Sequence, residues 1–210
     1  MNTVNERLKK ELMSMGASLV GYADLSDLPE KQTLGYKYGI SIAVAIQPQI
    51  INSIAQGVTK EYYDEYNRLN NLLDSLGKRA EELIGDMGYS ALARTRANVE
   101  INYTDHSTIL PHKTVATKAG LGWIGKCALL VTEEFGSAVR ITSVLTDAPL
   151  GAAKPITNSL CGNCDSCVRN CPAEALSGEL WYSGKPREEF YDFAACRKKS
   201  GGKKLAGFSW

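Results

Sequence analysis

The residues with the clearest chemical potential are Cys161-Gly-Asn-Cys164-Asp-Ser-Cys167-Val-Arg-Asn-Cys171-Pro172, four cysteines spaced by two, two and three residues and closed by a proline. A free thiol fills core space no better than Ala or Val, so this density points to covalent or metal chemistry. The spacing is that of the bacterial ferredoxin run that holds a 4Fe-4S cluster. In such a run a tight loop directs three thiolates at three irons, and the proline turns the chain away from the cubane. A disulfide framework suits secreted chains of under about 100 residues, and a zinc site usually splits its ligands into two separated pairs. The expected metal ligands are therefore Cys161, Cys164 and Cys167, with Cys171 or Cys196 closing the fourth iron. Cys127, far upstream, reads as a small core residue.

A second stretch, Leu110-Pro-His112-Lys113 through Ala119-Gly120-Leu121-Gly122-Trp123-Ile124-Gly125-Lys126-Cys127, places three glycines in six residues around a tryptophan. Glycines at this density let a backbone approach a ligand closely, so a flat cofactor could lie there. The string satisfies GxGxxG, but a helix-like run precedes it and a strand follows. That order reverses the strand, glycine loop and helix of a dinucleotide site, and argues against NAD.

The elements that must hold these two stretches can be read from periodicity. Val4, Leu8, Leu12 and Met15 recur at helical spacing, with Gly16 as a stop, and a short strand follows at residues 18–22. Residues 24–33 read as a loop or single turn. The run Gly39 to Ile46 is apolar on both faces and ends at Pro48, which marks a strand buried on both sides. The longest helix is expected from Lys60 to Met87, because Leu69, Leu72, Leu73, Leu76, Ala80, Leu83, Ile84 and Met87 fall at steps of three and four. Tyr62, Tyr63 and Tyr66 at its start suit amphipathic packing or a ligand-facing cluster. Strands are expected at residues 89–93, 128–132 and 139–145. Arg94 and Arg96 could hold a phosphate or carboxylate, or be solvated surface charges.

Composition sets outer bounds. At 210 residues the chain is long enough for one full core and a small appended module. Lys plus Arg number 24 against 23 Asp plus Glu, so no global field attracts a polyanion, and any such partner needs a local patch. The N-terminal residues lack an apolar signal region and no segment approaches 18 uninterrupted apolar residues, so the expectation is a cytoplasmic protein with no membrane partner.

Taken together, Ala119-Gly-Leu-Gly-Trp-Ile-Gly-Lys126, then Leu129-Leu-Val, Gly136-Ser137, Leu145-Thr-Asp-Ala-Pro-Leu150 and the cysteine run resemble epoxyqueuosine reductase and its relatives. The resemblance implies an α+β fold: a cobalamin-binding, nitroreductase-like domain over residues 1–152 and a ferredoxin-like 4Fe-4S module over residues 153–210. In that family, electrons pass from the clusters to the corrinoid cobalt, which drives reduction of the substrate. The loop Gly120, Leu121, Gly122, Trp123, Gly125 and Lys126 would lie near the cofactor, which is cobalamin by resemblance, with flavin as the alternative.

Within this resemblance, the family's acidic catalytic residue falls at His106, beside Asp105, and His112 and Lys113 complete the polar candidates. A histidine there titrates nearer neutral pH than an acid. The family's later Cys-x-x-Cys-x-x-x-Cys-Pro run does not occur in these 210 residues. In two-cluster ferredoxins the fourth cysteine of the first run ligates the other cluster, so Cys171 would face a second site together with Cys196. Two all-cysteine clusters need eight thiolates and the chain has 6 cysteines, so one cluster per chain is expected, with a second completed only across a homodimer. The family's C-terminal extension, which helps engage transfer RNA, is also missing, and the basic stretch Arg197 to Lys204 reads as a solvated tail. With the charge balance, this argues against transfer RNA as a partner. The expected function is a redox enzyme in which the cluster feeds a corrinoid that reduces a small substrate, served by an electron donor such as a ferredoxin or flavodoxin. The alternative is an electron carrier that reduces a corrinoid-protein partner and does no substrate chemistry of its own.

Overall fold

A computed structural model describes residues 3–55 and 57–201; Lys203 and Lys204 of the basic tail lie outside the described residues. The amphipathic pattern at the N-terminus forms α1 (Thr3–Ser14), which buries Leu8 and Leu12 and leads into strand β1 (Leu19–Asp24). A single turn, α2 (Glu30–Thr33), precedes β2 (Tyr38–Ala45), whose six central residues are all buried. Pro48, expected only to end that strand, opens the short helix α3 (Pro48–Ser53), where its missing N–H and fixed φ suit a first turn.

The long helix α4 (Lys60–Asp86) begins at Thr59, whose hydroxyl accepts a hydrogen bond from the Tyr62 N–H. Leu69, Leu73, Leu76, Ala80, Leu83 and Ile84 form its buried stripe. After it come β3 (Ala91–Arg94), α5 (His112–Lys118), the two-residue strands β4 (Trp123–Ile124) and β5 (Leu130–Val131), and β6 (Val139–Thr146).

Strands β1, β2, β6 and β3 pair in that order into a four-stranded antiparallel sheet; β4 and β5 pair separately. Alternation along each strand assigns the two faces. Val20, Tyr22, Ile40, Ile42, Val44, Ala93 and Val144 face α1 and α4 in the main core. Ala23 and Leu145 face α5 and pack with Leu110, Val115 and Ala119. Helix α5 lies very close to this face because the strands offer it glycines. A Cβ on Gly21 would stand 2.7 Å from the Ala119 carbonyl oxygen, and one on Gly39 would stand 2.9 Å from Val115 Cγ1. The sheet thus fixes α5, and α5 fixes the glycine-rich loop that follows it.

Beyond β6 the chain carries little regular structure: α6 (Ser166–Arg169), a 3-10 turn at Arg187–Glu189 and α7 (Phe193–Gly201). It is tied to the sheet and to α5 by backbone bonds from Ala153 N–H to the Tyr22 carbonyl (2.8 Å) and from Ile156 N–H to the Thr117 carbonyl (2.9 Å). Phe190, with Leu176, Trp181 and Tyr191, packs against Ala116, Ile124, Ala128 and Leu130 in a third apolar cluster. The cysteine segment therefore rests on the back of α5 and the β4–β5 hairpin. Among the described residues, no helix is long and apolar enough to cross a membrane.

Candidate functional site

The glycine loop and the cysteine loop meet. Residues Gly125-Lys-Cys-Ala128 make a tight turn closed by the Ala128 N–H on the Gly125 carbonyl at 2.9 Å, with Ala128 in the left-handed region (φ 60°). The Lys126 side chain, 9 % exposed, reaches the Gly162 carbonyl at 3.0 Å and so joins this turn to the first cysteine turn. That second turn is closed by the Cys164 N–H on the Cys161 carbonyl at 3.1 Å, with Gly162 at φ 52°.

The glycines serve chain-on-chain approach. A Cβ on Gly122 would stand 2.1 Å from the Val131 carbonyl oxygen, and one on Gly120 would stand 3.1 Å from the Lys154 carbonyl oxygen. One on Gly125 would meet Val131 Cγ2 at 2.7 Å, Cys127 Sγ at 3.1 Å and Cys161 Sγ at 3.5 Å. Gly125 is therefore covered first by the Val131 side chain and then by two sulfurs. On the other side of the loop, Gly120, Leu121, Gly122 and Trp123 line a cleft of about 190 Å³ with Leu19, Glu133, Glu134 and Ile156. A larger, mainly apolar cleft of about 480 Å³ runs between Ala45–Pro48, Ile51 and Phe135–Ala138, and Glu134 lines both.

The thiols fall into two neighbourhoods. Burial raises the Cys161 thiol, but the Ser159 hydroxyl, the Lys126 backbone N–H, the Trp123 indole and the Lys126 charge outweigh it and hold Cys161 below the ordinary thiol range. Trp123 Nε1 is buried and makes no hydrogen bond of ordinary geometry, yet it lies close enough to Cys161 to favour its thiolate. Cys167 is pushed up by burial and then by the Cys127 and Cys161 sulfurs. In the second neighbourhood, Tyr191 is pushed up to about 12 by burial and by Cys196, with Cys171 adding to the effect. The Ala175 N–H points at Cys171 Sγ at 3.4 Å. Cys164 is exposed, and all six thiols are free. Among the described residues, no three His, Cys, Asp or Glu side chains already stand in a metal-holding arrangement. The donor set nevertheless fits an iron-sulfur cluster. Thiolates are its usual ligands, an orphan indole N–H and a lysine face Cys161, and metal sites are seldom closed before the metal arrives.

The four polar candidates do not converge on one point. His112 Nδ1 lies 2.8 Å from Ser143 Oγ beneath the sheet, and burial, with Arg94 and Arg140, pushes its pKa down to about 4. Lys113 Nζ donates to the Ala128 carbonyl at 2.7 Å; burial lowers its pKa, Arg187 adds to that, and the nearby Cys127 opposes it. Asp105 and His106 sit on a surface loop bridged by Asn102 and Ser107. Asp105 caps the Ser107 N–H at 2.9 Å, and Arg187 holds the Asp105 carbonyl at 2.9 Å. His106 takes the left-handed backbone (φ 53°), its ring 5.0 Å from that of Phe193. Arg96 is spent on Asp74 at 3.0 Å, while Arg94 is buried in β3 with Nε unpartnered. Arg140 lies over the Tyr66 ring at 4.1 Å, so that tyrosine stacks within the fold. Sequence reasoning missed the place of Cys127, and the only sequence signal for it was a thiol directly after a glycine loop.

No family model matches the chain. Curated relatives do. The epoxyqueuosine reductase of Vibrio cholerae is 34 % identical over 116 residues, covering 55 % of this chain and 28 % of its own length. That of Bacillus anthracis is 26 % identical over 203 residues, covering 81 % of this chain and 53 % of its own. The chain therefore spans between about a quarter and a half of these relatives. Among solved structures, epoxyqueuosine reductase from Streptococcus thermophilus superposes with a TM-score of 0.59 at 21 % identity, over 90 % of this chain and 56 % of that one. A reductive dehalogenase described with a mechanism for B12-dependent dehalogenation superposes with a TM-score of 0.66 at 22 % identity, over 81 % of this chain and 25 % of that one. An epoxyqueuosine reductase bound to a modified tRNA stem loop superposes with a TM-score of 0.52 at 24 % identity, over 82 % of this chain and 52 % of that one. This corrects the expectation against transfer RNA: a relative of the same fold engages it. A near-zero net charge is a whole-molecule average, and it says nothing of a local patch.

Proposed function

Because the chain is a relative of the epoxyqueuosine reductases, we propose that it is an oxidoreductase of that kind, with one 4Fe-4S cluster on the cysteine turn and a corrinoid beside Trp123. On this reading, residues 1–152 form the corrinoid-type, nitroreductase-like domain and residues 153–210 a ferredoxin-like module. The observation that carries it is the position of Trp123. Its indole lies close to Cys161, and the same residue lines the cleft with Gly120, Leu121 and Gly122.

The cleft beside Trp123, about 190 Å³, is smaller than the roughly 300–1,000 Å³ of typical small-molecule sites, so it receives only an edge of a flat cofactor. A second, mainly apolar cleft of about 480 Å³ shares Glu134 with it, and the residues lining the two clefts would be the ones to hold a corrinoid. When bound, the cluster supplies single electrons and the corrinoid a reducible metal centre. Lys126 holds the two loops together, and Cys161, its thiol lowered by its neighbours, would bind iron. His112 stays neutral and braces α5 against β6. Proton supply falls to His106, on the loop held by Arg187 and Phe193.

The test is anaerobic purification from iron-replete cells, iron and sulfide assay, and titration with cobalamin, flavin serving as control. Brown protein whose corrinoid bands shift on binding is expected, with turnover of an epoxyqueuosine-modified tRNA stem loop assayed next. His106→Gln should then lose turnover and keep cobalt reduction. Colourless, iron-free protein would end the proposal.

A further inference from the structure

The glycine turn carries a thiol that the cysteine run does not account for, and it sits beside the first sulfur of that run. In two-cluster ferredoxins such a run supplies three ligands to its own cluster and sends its fourth cysteine elsewhere; on that pattern a fourth sulfur comes from outside the run. Cys171 and Cys196 both act on Tyr191. Cys127 is on the first turn's side. Its Sγ and that of Cys161 lie 3.1 and 3.5 Å from one point above Gly125, hence at most the sum of those distances apart. That bound keeps both sulfurs within reach of one cubane.

The turn geometry makes this placement rigid. Cys127 is the third residue of the Gly125–Ala128 turn, folded back over Gly125, where a Cβ would clash with Val131 Cγ2 at 2.7 Å and crowd the Cys127 sulfur at 3.1 Å. Lys126 fastens the same turn to Gly162, between Cys161 and Cys164. The surroundings also suit an anionic cluster. Lys113 Nζ is anchored one residue away on the Ala128 carbonyl, Lys126 lies beside Cys161, and the Trp123 indole N–H faces the same sulfur without a partner. Cys127 is half-buried and belongs to none of the three apolar clusters, so it does not act as core filling.

We propose that Cys127 is the fourth ligand of the cluster held by Cys161, Cys164 and Cys167, which leaves Cys171 and Cys196 outside it. The inference rests on the cluster reading above, and it deepens that reading by binding the cluster directly to the glycine loop.

The experiment compares Cys127→Ala and Cys196→Ala with the unaltered chain, all reconstituted without oxygen, by iron and sulfide content and by EPR after mild oxidation. Cys127→Ala should yield the signal of a three-iron centre and about three irons per chain, while Cys196→Ala keeps four. A four-iron cluster retained in Cys127→Ala, or one lost from Cys196→Ala instead, overturns the proposal and leaves the cluster reading intact. Iron-free unaltered protein overturns both. Because a substituted turn can fail to fold, alkylation of the unaltered protein gives an independent readout by mass spectrometry. Cys127 should be protected while the cluster is loaded and labelled after iron is chelated. Labelling at Cys127 before chelation, or a Cys127–Cys161 disulfide in the reduced loaded protein, refutes the assignment.

Discussion

The close approach of β4 and β5 is the most exposed part of this reasoning, and one methyl group tests it. In Gly122→Ala the new carbon would stand 2.1 Å from the Val131 carbonyl oxygen, 2.9 Å from its carbonyl carbon and 3.2 Å from Thr132 Cα. All three are backbone atoms, so no side chain can swing aside, and the Trp123–Val131 and Ile124–Leu130 pairing must open. Ile124 and Leu130 are only 5 % and 4 % exposed, and burial of such side chains contributes about 1.5–3 kcal/mol each. Losing half of that, on top of the strain of overpacking, costs about 3 kcal/mol or more. The same substitution at Gly85 has the opposite sign. That glycine lies in α4 with open space around its Cβ position, so alanine gains up to about 1 kcal/mol from helix propensity and a less flexible unfolded chain. Urea unfolding of the two metal-free variants measures both. A Gly122→Ala protein within about 1 kcal/mol of the unaltered chain would refute the loop's packing, and with it the contact that carries Cys161 to Gly125.

Two further outcomes follow from the charges. His112 is held near pKa 4, below its ordinary 6.5, so the unfolded chain takes up the extra proton as pH falls through that window; the stability due to neutral His112 is full above about 6.5 and lost toward 4. Its contribution is at most about 3 kcal/mol, and the pH dependence of unfolding in His112→Gln should be shallower there by a comparable amount; an unchanged slope would show that burial does not hold the ring neutral. Lys126→Met removes both the bond to Gly162 and a cation beside Cys161, so the Cys161 thiol should titrate higher. The pH profile of alkylation at Cys161 in metal-free protein should move upward, and a profile that stays in place would show that Lys126 serves only as a strut.

Much of the frame was legible in the sequence, because it is periodic. The α4 stripe, the doubly buried β2 and the end of α1 follow from spacing alone, and each lies within a few residues of its expected bounds. The departures come where a local pattern meets a neighbour distant along the chain. Residues 128–132 read as a strand, yet only Leu130–Val131 pair with β4. Ala128 is taken into a left-handed turn and Thr132 bridges to Gly136. Arg94 reads as a solvated charge or an anion holder, yet β3 carries it across from Ser143 and buries it. The glycines around Trp123 read as a ligand cradle, and the backbone they admit is the chain's own.

Cys127 is the instructive residue. One thiol far from the run has no local signature of a ligand, and a small half-buried side chain is what spacing predicts for a core position. Its companion Cys161 lies 34 residues on, brought to it by the Lys126–Gly162 bond and by the packing of Phe190 on α5 and the hairpin. Such a contact depends on tertiary closure, and closure depends on a glycine whose missing side chain leaves room for two sulfurs. The chemistry proposed for the cysteine run thus rests on one segment alone, while the proposal of Cys127 as a fourth ligand rests on the fold.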